Sequence, residues 1–297
     1  MKHVREWIRG TAVVIALLVH LAPARGEPLV TASPPRPLGK GSIVVLRSSA
    51  AVRETPVDDP GDLLIHFHGA ADTIRLAMER AGIAATVVVV NQPGLSAAYT
   101  APFRDDAKLF SALLAEPARR QATDETPPVP RWRRITLSCF SAGYGAVREI
   151  LKDPQAFDRV AAIVAADSIY AGLEEPPAAA AADARRVDTR DMARFVAFAT
   201  AAVAGEKVFV ITHSAQPTPY ASTTETADCL LANLRLQREP IDAVAGEEFS
   251  QVSRAGRGGF AVLGFTGASG PAHAFHLRAV DRWWKVAESL GDELSRR

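Results

Sequence analysis

Four consecutive β-branched residues, Val87, Val88, Val89 and Val90, constrain this chain more than any other feature. A strand with no polar alternation has no solvent face, so it must lie inside a sheet that is covered on both sides. Six further short apolar runs share its character, at 42–46, 63–67, 135–139, 160–165, 207–212 and 260–265, and the valines themselves sit in a run over 86–91. Between these runs, residues 71–81, 104–115, 142–152, 189–204, 223–236 and 272–290 repeat apolar side chains at three- and four-residue spacing, as Ala142, Val147, Ile150 and Leu151 do. That period predicts helices. Strands alternating with helices are the pattern of an α/β protein, and the expected architecture is a mostly parallel central sheet with helices on both faces. Three stretches break the rhythm: 116–131, rich in proline and charge; 172–188, rich in alanine and proline; and 238–258, with its glycine, arginine and glutamate. They read as surface excursions. The second follows a strand end and is a candidate for a small lid.

Lys2, Arg5 and Arg9 precede an apolar run over 11–22 that is bordered by Pro23. The run is too short to span a bilayer comfortably, so it reads as a signal peptide, with an uncleaved anchor as the alternative. Ala24 and Gly26 stand at the spacing a signal peptidase requires. The expected organisation is a signal peptide over 1–26, an extended lead-in over 27–41 that contains Pro28, Pro34, Pro35 and Pro37, and a single domain over 42–297. A periplasmic or secreted location follows, with no stable membrane insertion after cleavage. Cleavage would move the formal charge from +1 to −2, a balance that gives no electrostatic case for nucleic acid as a partner. Cys139 and Cys229, the only cysteines, each sit in an apolar segment and read as buried free thiols rather than a disulfide.

The chemistry concentrates in Ile135-Thr136-Leu137-Ser138-Cys139-Phe140-Ser141-Ala142-Gly143-Tyr144-Gly145, where an apolar strand runs into a sharp turn and then a helix. Cys139 and Gly143 flank Ser141 at two-residue distance, and a serine held in such a turn needs small neighbours on both sides. The other reading of Ser141 is a helix cap. This segment resembles the nucleophile elbow of the α/β-hydrolase family, with Cys139 where that family usually has glycine. A second likeness lies in Leu63-Leu64-Ile65-His66-Phe67-His68-Gly69-Ala70. In the family a His-Gly segment here supplies one backbone N–H to the oxyanion hole, and the residue after the nucleophile supplies the other. The resemblance therefore implies Ala70 and Ala142 as donors, each of which typically contributes about 3 kcal/mol to the transition state. His66 and His68 stand at alternate positions that could share a metal, but no third ligand is near them in sequence. No metal or other cofactor is expected.

The family's base follows its last strand, and His273 and His276 both follow the 260–265 run. His273, nearer the loop, is preferred; His276 lies deeper in a helix that also carries Leu277, Val280 and Trp284. The family's acid usually follows the 207–212 strand, but His213-Ser214-Ala215-Gln216 offers no carboxylate there. Some members place the acid one strand earlier, which points to Asp167, with Asp228 in reserve. A turn-forming aspartate is the other reading of Asp167. The order Ser141, Asp167, His273 agrees with the family's chain order, and the resemblance covers roughly 42–290. His68, Tyr170 and the stretches 91–99 and 220–225 are candidates to line the substrate cleft. The expected activity is hydrolysis of a small-molecule or polymer-borne ester through an acyl-enzyme. An amidase or peptidase on the same fold is the nearer alternative, and a non-catalytic exported binding protein the more distant one. Nothing in the sequence indicates an oligomeric state.

Overall fold

The computed structural model describes residues 29–49, 61–119, 127–174, 185–244 and 248–296. The expected signal segment and the middle of the candidate lid lie outside them. The strands are β1 (Val30–Ala32), β2 (Arg36–Leu38), β3 (Gly41–Ser48), β4 (Asp62–Phe67), β5 (Ala85–Asn91), β6 (Arg134–Phe140), β7 (Val160–Ala166), β8 (Val208–His213), β9 (Glu239–Pro240), β10 (Gln251–Arg257) and β11 (Phe260–Phe265). They form one sheet in the order β1-β3-β5-β4-β6-β7-β8-β11-β10-β9, with β2 paired to β3. The six strands from β5 to β11 along this order are parallel. Antiparallel strands flank them, β3 beside β5 and β10 beside β11.

The helices are α1 (Ala71–Ala81), α2 (Ser96–Asp105), α3 (Leu109–Ala115), α4 (Tyr144–Ile150), α5 (Pro154–Arg159), α6 (Thr189–Val203), α7 (Thr223–Leu234), α8 (Gly270–Arg278) and α9 (Val280–Ser295). They divide between the two sheet faces. One core joins Ile65, Val88 and Leu137 to Tyr99 of α2, Val147 of α4, Phe195 of α6 and Leu230 of α7. The other joins Leu64, Val87 and Val164 to Ile74 of α1 and to Val280, Trp283 and Trp284 of α9. The four valines are at most 1% exposed because each face of β5 meets one of these cores. Among the described residues, no helix is long and apolar enough to cross a membrane.

Several elements differ from expectation, each for a local reason. Residues 30–38 are not merely a lead-in, because β1 and β2 both pair antiparallel with β3. The excursion expected over 238–258 contains β9 and β10, and β10 returns into β11 through Gly258 and Gly259. Gly258 takes a φ of 61°, which suits the tight hairpin. The polar β10 escaped a period-based reading because it lies near the sheet edge, where Arg254 and Arg257 face solvent. The helix expected over 104–115 is split, since Asp106 accepts from the Lys108 amide (2.8 Å) and starts α3 afresh. The helix expected over 272–290 breaks at Ala279, and the Trp283 indole N–H donates to the buried helix-end carbonyl of His276 (3.0 Å).

The parallel register sets up the site. Phe67 lies opposite Cys139, Cys139 opposite Ala165, and Ala166 opposite Thr212. The residues that leave β4, β6, β7 and β8 therefore emerge along one edge of the sheet: His68, Ser141, Asp167 and Ser214.

Candidate active site

Backbone strain marks this edge. Among the described residues, four that are not glycine have positive φ: His68 (73°), Ser141 (48°), Asp167 (44°) and Arg235 (53°). Arg235 closes α7, an ordinary place for a left-handed residue. The other three follow β4, β6 and β7 and share the site edge. Such conformations cost about 1–3 kcal/mol each and persist where the surroundings dictate them.

Ser141 opens a single 3₁₀ turn, Ser141–Gly143, that leads from β6 into α4. A β-carbon on Gly143 would lie 2.3 Å from the Phe67 carbonyl oxygen, so only glycine lets the turn sit against the end of β4. The Ser168 hydroxyl, from the turn after β7, donates to the Ser141 carbonyl (2.8 Å) and ties the elbow to that strand. Cys139 is fully buried, and burial pushes its thiol up to about 12, which leaves it inert. Both cysteines are free.

Asp167 is wholly buried, and four donors converge on its carboxylate. His273 Nδ1 donates to Oδ2 at 2.7 Å. The Ser214 amide (2.9 Å), the Ser214 hydroxyl (2.7 Å) and the Thr223 hydroxyl (2.5 Å) supply the rest. Burial alone would raise the Asp167 pKa; the bonds from His273, Thr223 and Ser214 outweigh it and hold the group well below the ordinary carboxylate range. Phe140, the residue before Ser141, stacks on the His273 ring at 4.5 Å between centroids. Its stacking partner on the other contact is His68, at 5.8 Å.

His276 lies behind this cluster and meets it through Thr212, whose hydroxyl oxygen also accepts from the Asp167 amide (3.3 Å). It is fully buried, its Nδ1 meets the Thr212 hydroxyl (2.7 Å), and Phe265 and Trp283 pack on its ring. Burial lowers its pKa to about 4, so it is a neutral core residue. Asp228 is held by Arg238 (2.7 Å) and is more than half exposed, away from His273. Ala142 is buried directly behind Ser141. Ala70 caps the start of α1, and its own N–H has no acceptor among the described residues.

His66 and His68 diverge because β4 ends at Phe67 and His68 leaves it with a φ of 73°, which breaks the shared face that alternate strand residues would have. His66 bonds to Ser138 (2.9 Å), whose hydroxyl also accepts from Trp284 under α9, whereas His68 bonds to the Tyr99 hydroxyl (2.9 Å). Tyr170 sits between Tyr144 and Tyr220, with centroids 5.6 and 5.4 Å away, and burial pushes its hydroxyl well up. These three rings form a wall that runs from the elbow helix to the turn after Asp167. The 91–99 stretch is not a plain turn, since α2 begins at Ser96 and places Tyr99 beneath His68.

Sequence reasoning missed Ser214, Thr223 and Phe140. Ser214 occupies the strand end where the family usually carries its acid, and its hydroxyl is the one signal there. A cavity of about 570 Å³ lies at the opposite ends of the strands beside Arg134, Ala162 and Trp284. None of the candidate residues lines it.

One observation decides the fold. A strained serine follows the central parallel strand β6, an acid follows β7 and a histidine follows the last parallel strand β11, in a sheet whose second strand in order runs antiparallel. The chain has the α/β-hydrolase fold. Asp167 stands one strand earlier than the position where this fold usually carries its acid, and Ser214 fills that usual position with a donor.

No family model and no curated protein matches the sequence. Among solved structures, an S-formylglutathione hydrolase from Agrobacterium tumefaciens is similar at 13% identity, covering 88% of this chain and 95% of that one, with a TM-score of 0.46. Esterase 2 of Thermogutta terrifontis is similar at 14% identity over 86% of this chain and 93% of that one, with a TM-score of 0.44. A haloalkane dehalogenase from Bradyrhizobium elkani is similar at 11% identity over 90% of this chain and 98% of that one, with a TM-score of 0.43. The strand order and the elbow carry the assignment of the fold, not these distant likenesses.

Proposed function

We propose that the chain is an exported serine hydrolase that cleaves an ester by acyl transfer through Ser141, with His273 as base and Asp167 as the acid that orients it. The bond from His273 Nδ1 to a buried carboxylate carries this reading. It fixes the imidazole with Nε2 unprotonated, the tautomer that can accept a proton from a serine hydroxyl. Stacking on Phe140 holds that same ring against the backbone that presents Ser141.

In the first half-reaction Ser141 Oγ bonds to the carbonyl carbon while its proton passes to His273 Nε2. Negative charge gathers on the carbonyl oxygen, where the Ala142 and Ala70 amides stabilise it. The alcohol then leaves, taking the proton from Nε2, and an acyl-Ser141 remains. Water repeats the sequence and releases the acid. Asp167, kept ionised by its donors, stabilises the imidazolium in both halves. His68 and the Tyr144, Tyr170 and Tyr220 wall line the approach to Ser141 in this reading. Export rests on Lys2, Arg5 and Arg9, the apolar run behind them, and Ala24 with Gly26. N-terminal sequencing of envelope material should start at Glu27 or a neighbour, and intact Met1 in the cytoplasm would remove that part.

The central test is labelling by a fluorophosphonate, followed by peptide mapping. Wild type should be labelled at Ser141 and hydrolyse p-nitrophenyl esters, and Ser141→Ala should do neither while melting near the wild-type temperature. His273→Ala should lose nearly as much as Ser141→Ala, because triad members act as a unit. Asp167→Asn should lose about 10⁴-fold, and His276→Gln should keep most of its turnover. Undiminished hydrolysis by folded Ser141→Ala would overturn the reading.

A further inference from the structure

Asn91, at the end of β5, holds the peptide that precedes Ala70. Its side-chain amide grips Gly69 from both sides: Nδ2 donates to the Gly69 carbonyl at 2.6 Å, and Oδ1 accepts from the Gly69 amide at 2.9 Å. Gly69 cannot shift to escape this grip. A β-carbon there would lie 2.9 Å from His66 Nε2 and 3.0 Å from Leu277 Cδ1, so the backbone is already wedged between side chains. Just before it in the chain, the His68 amide donates to the Val90 carbonyl of the same strand β5 (3.1 Å), and His68 itself is strained at φ 73°.

The consequence follows from peptide geometry. No peptide bond among the described residues is cis, so the Gly69 carbonyl and the Ala70 N–H share one plane and point in opposite directions. Fixing the carbonyl toward Asn91 turns the Ala70 N–H away from β5. The sheet order is β5-β4-β6, so the strand on that other side is β6, which ends at Ser141. That N–H has no acceptor among the described residues, so nothing else claims it. We propose that Asn91 is a positioning residue that holds the Ala70 N–H on the carbonyl oxygen of the substrate as negative charge develops there. The proposal rests on the serine-hydrolase reading.

The test compares wild type, Asn91→Ala, Asn91→Asp, Ala70→Pro and the Asn91→Ala/Ala70→Pro double variant, with p-nitrophenyl acetate as substrate. Fluorophosphonate taken to completion counts the competent sites, so kcat is expressed per titrated Ser141. Aspartate keeps the shape of asparagine but puts an oxygen against the Gly69 carbonyl, which it cannot bond. Proline deletes the Ala70 N–H itself, and the φ of −58° at Ala70 admits it.

Each single variant should lower per-site kcat about 100-fold, the size expected for one oxyanion donor, with KM changed by less than about threefold. The double variant should be no worse than either single one, because both remove the same interaction. A residue that merely braced the fold would lower the titrated fraction and the melting temperature while leaving per-site kcat intact. That result, or a double variant that loses the product of the two single effects, overturns the proposal. Should Ala70→Pro melt early, the two Asn91 variants decide alone. A folded wild type that neither reacts with the probe nor hydrolyses the ester would overturn the hydrolase reading, and the role of Asn91 with it, before any variant is made.

Discussion

The three residues that donate to Asp167 have separate origins: Ser214 just after β8, Thr223 at the first turn of α7, and His273 in α8. A hydrogen bond to a charged group contributes about 1.5–3 kcal/mol, the equivalent of one or two pH units. Removing the Thr223 hydroxyl should therefore let the Asp167 pKa rise and strengthen its hold on the His273 proton. Both effects move the acidic limb of the kcat/KM profile upward. Thr223→Val should shift that limb by up to about one unit, and Thr223→Ser should restore it; a limb that stays in place would show that Thr223 only fills space. The sequence made Ser141, Asp167 and His273 legible because each follows an apolar run at a strand end. Ser214 and Asn91 also stand at the ends of apolar runs, but neither side-chain type marks a catalytic role there, and Thr223 opens a helix. They matter because Ala166 pairs with Thr212, and because β4 lies beside β5, and no local pattern encodes those neighbours.

At the scale of elements, close approach decides where the elbow sits. A β-carbon on Gly145 would lie 2.6 Å from both the Ser96 carbonyl and the Thr100 hydroxyl of α2, so α4 and α2 touch backbone to backbone there. Alanine is the better helix former by about 1 kcal/mol, yet Gly145→Ala should lower stability by about 1–3 kcal/mol, because α2 must move off. Thermal melting checks this, and an unchanged or higher midpoint would refute the tight packing. The central strands were legible from composition, since burial on both faces removes polar residues from them. The edge was not: β1, β2 and β10 mix polar and apolar residues because one face meets solvent. Helix breaks were also hidden. The joint at Ala279 depends on a tryptophan that reaches back to a carbonyl, and the break before α3 depends on one aspartate side chain.

For the whole molecule, the interior is rich in neutral histidine. Burial lowers His66 to about 3 and His276 to about 4, and it lowers His68 and His213 as well. The unfolded chain takes up these protons near pH 6.5, before the folded chain can. Their contribution to stability is complete above that pH and is lost as pH falls toward 4, with a shift such as that of His276 equivalent to about 3 kcal/mol. Stability measured by urea unfolding should fall between pH 6.5 and 4, and the double variant His66→Gln/His276→Gln should fall less steeply. An equal slope would rule these two groups out. Asp167 acts below this window: its folded pKa lies under the ordinary 3.8, so its stabilisation is present above that value and disappears on further acidification. The joining of distant strand ends has one more effect. His273 is separated from Asp167 by 106 residues, and the two meet only when β7, β8 and β11 are paired. In the proposed hydrolase, a chain still being made would therefore carry an unarmed serine, and esters around it would be safe until the fold is complete.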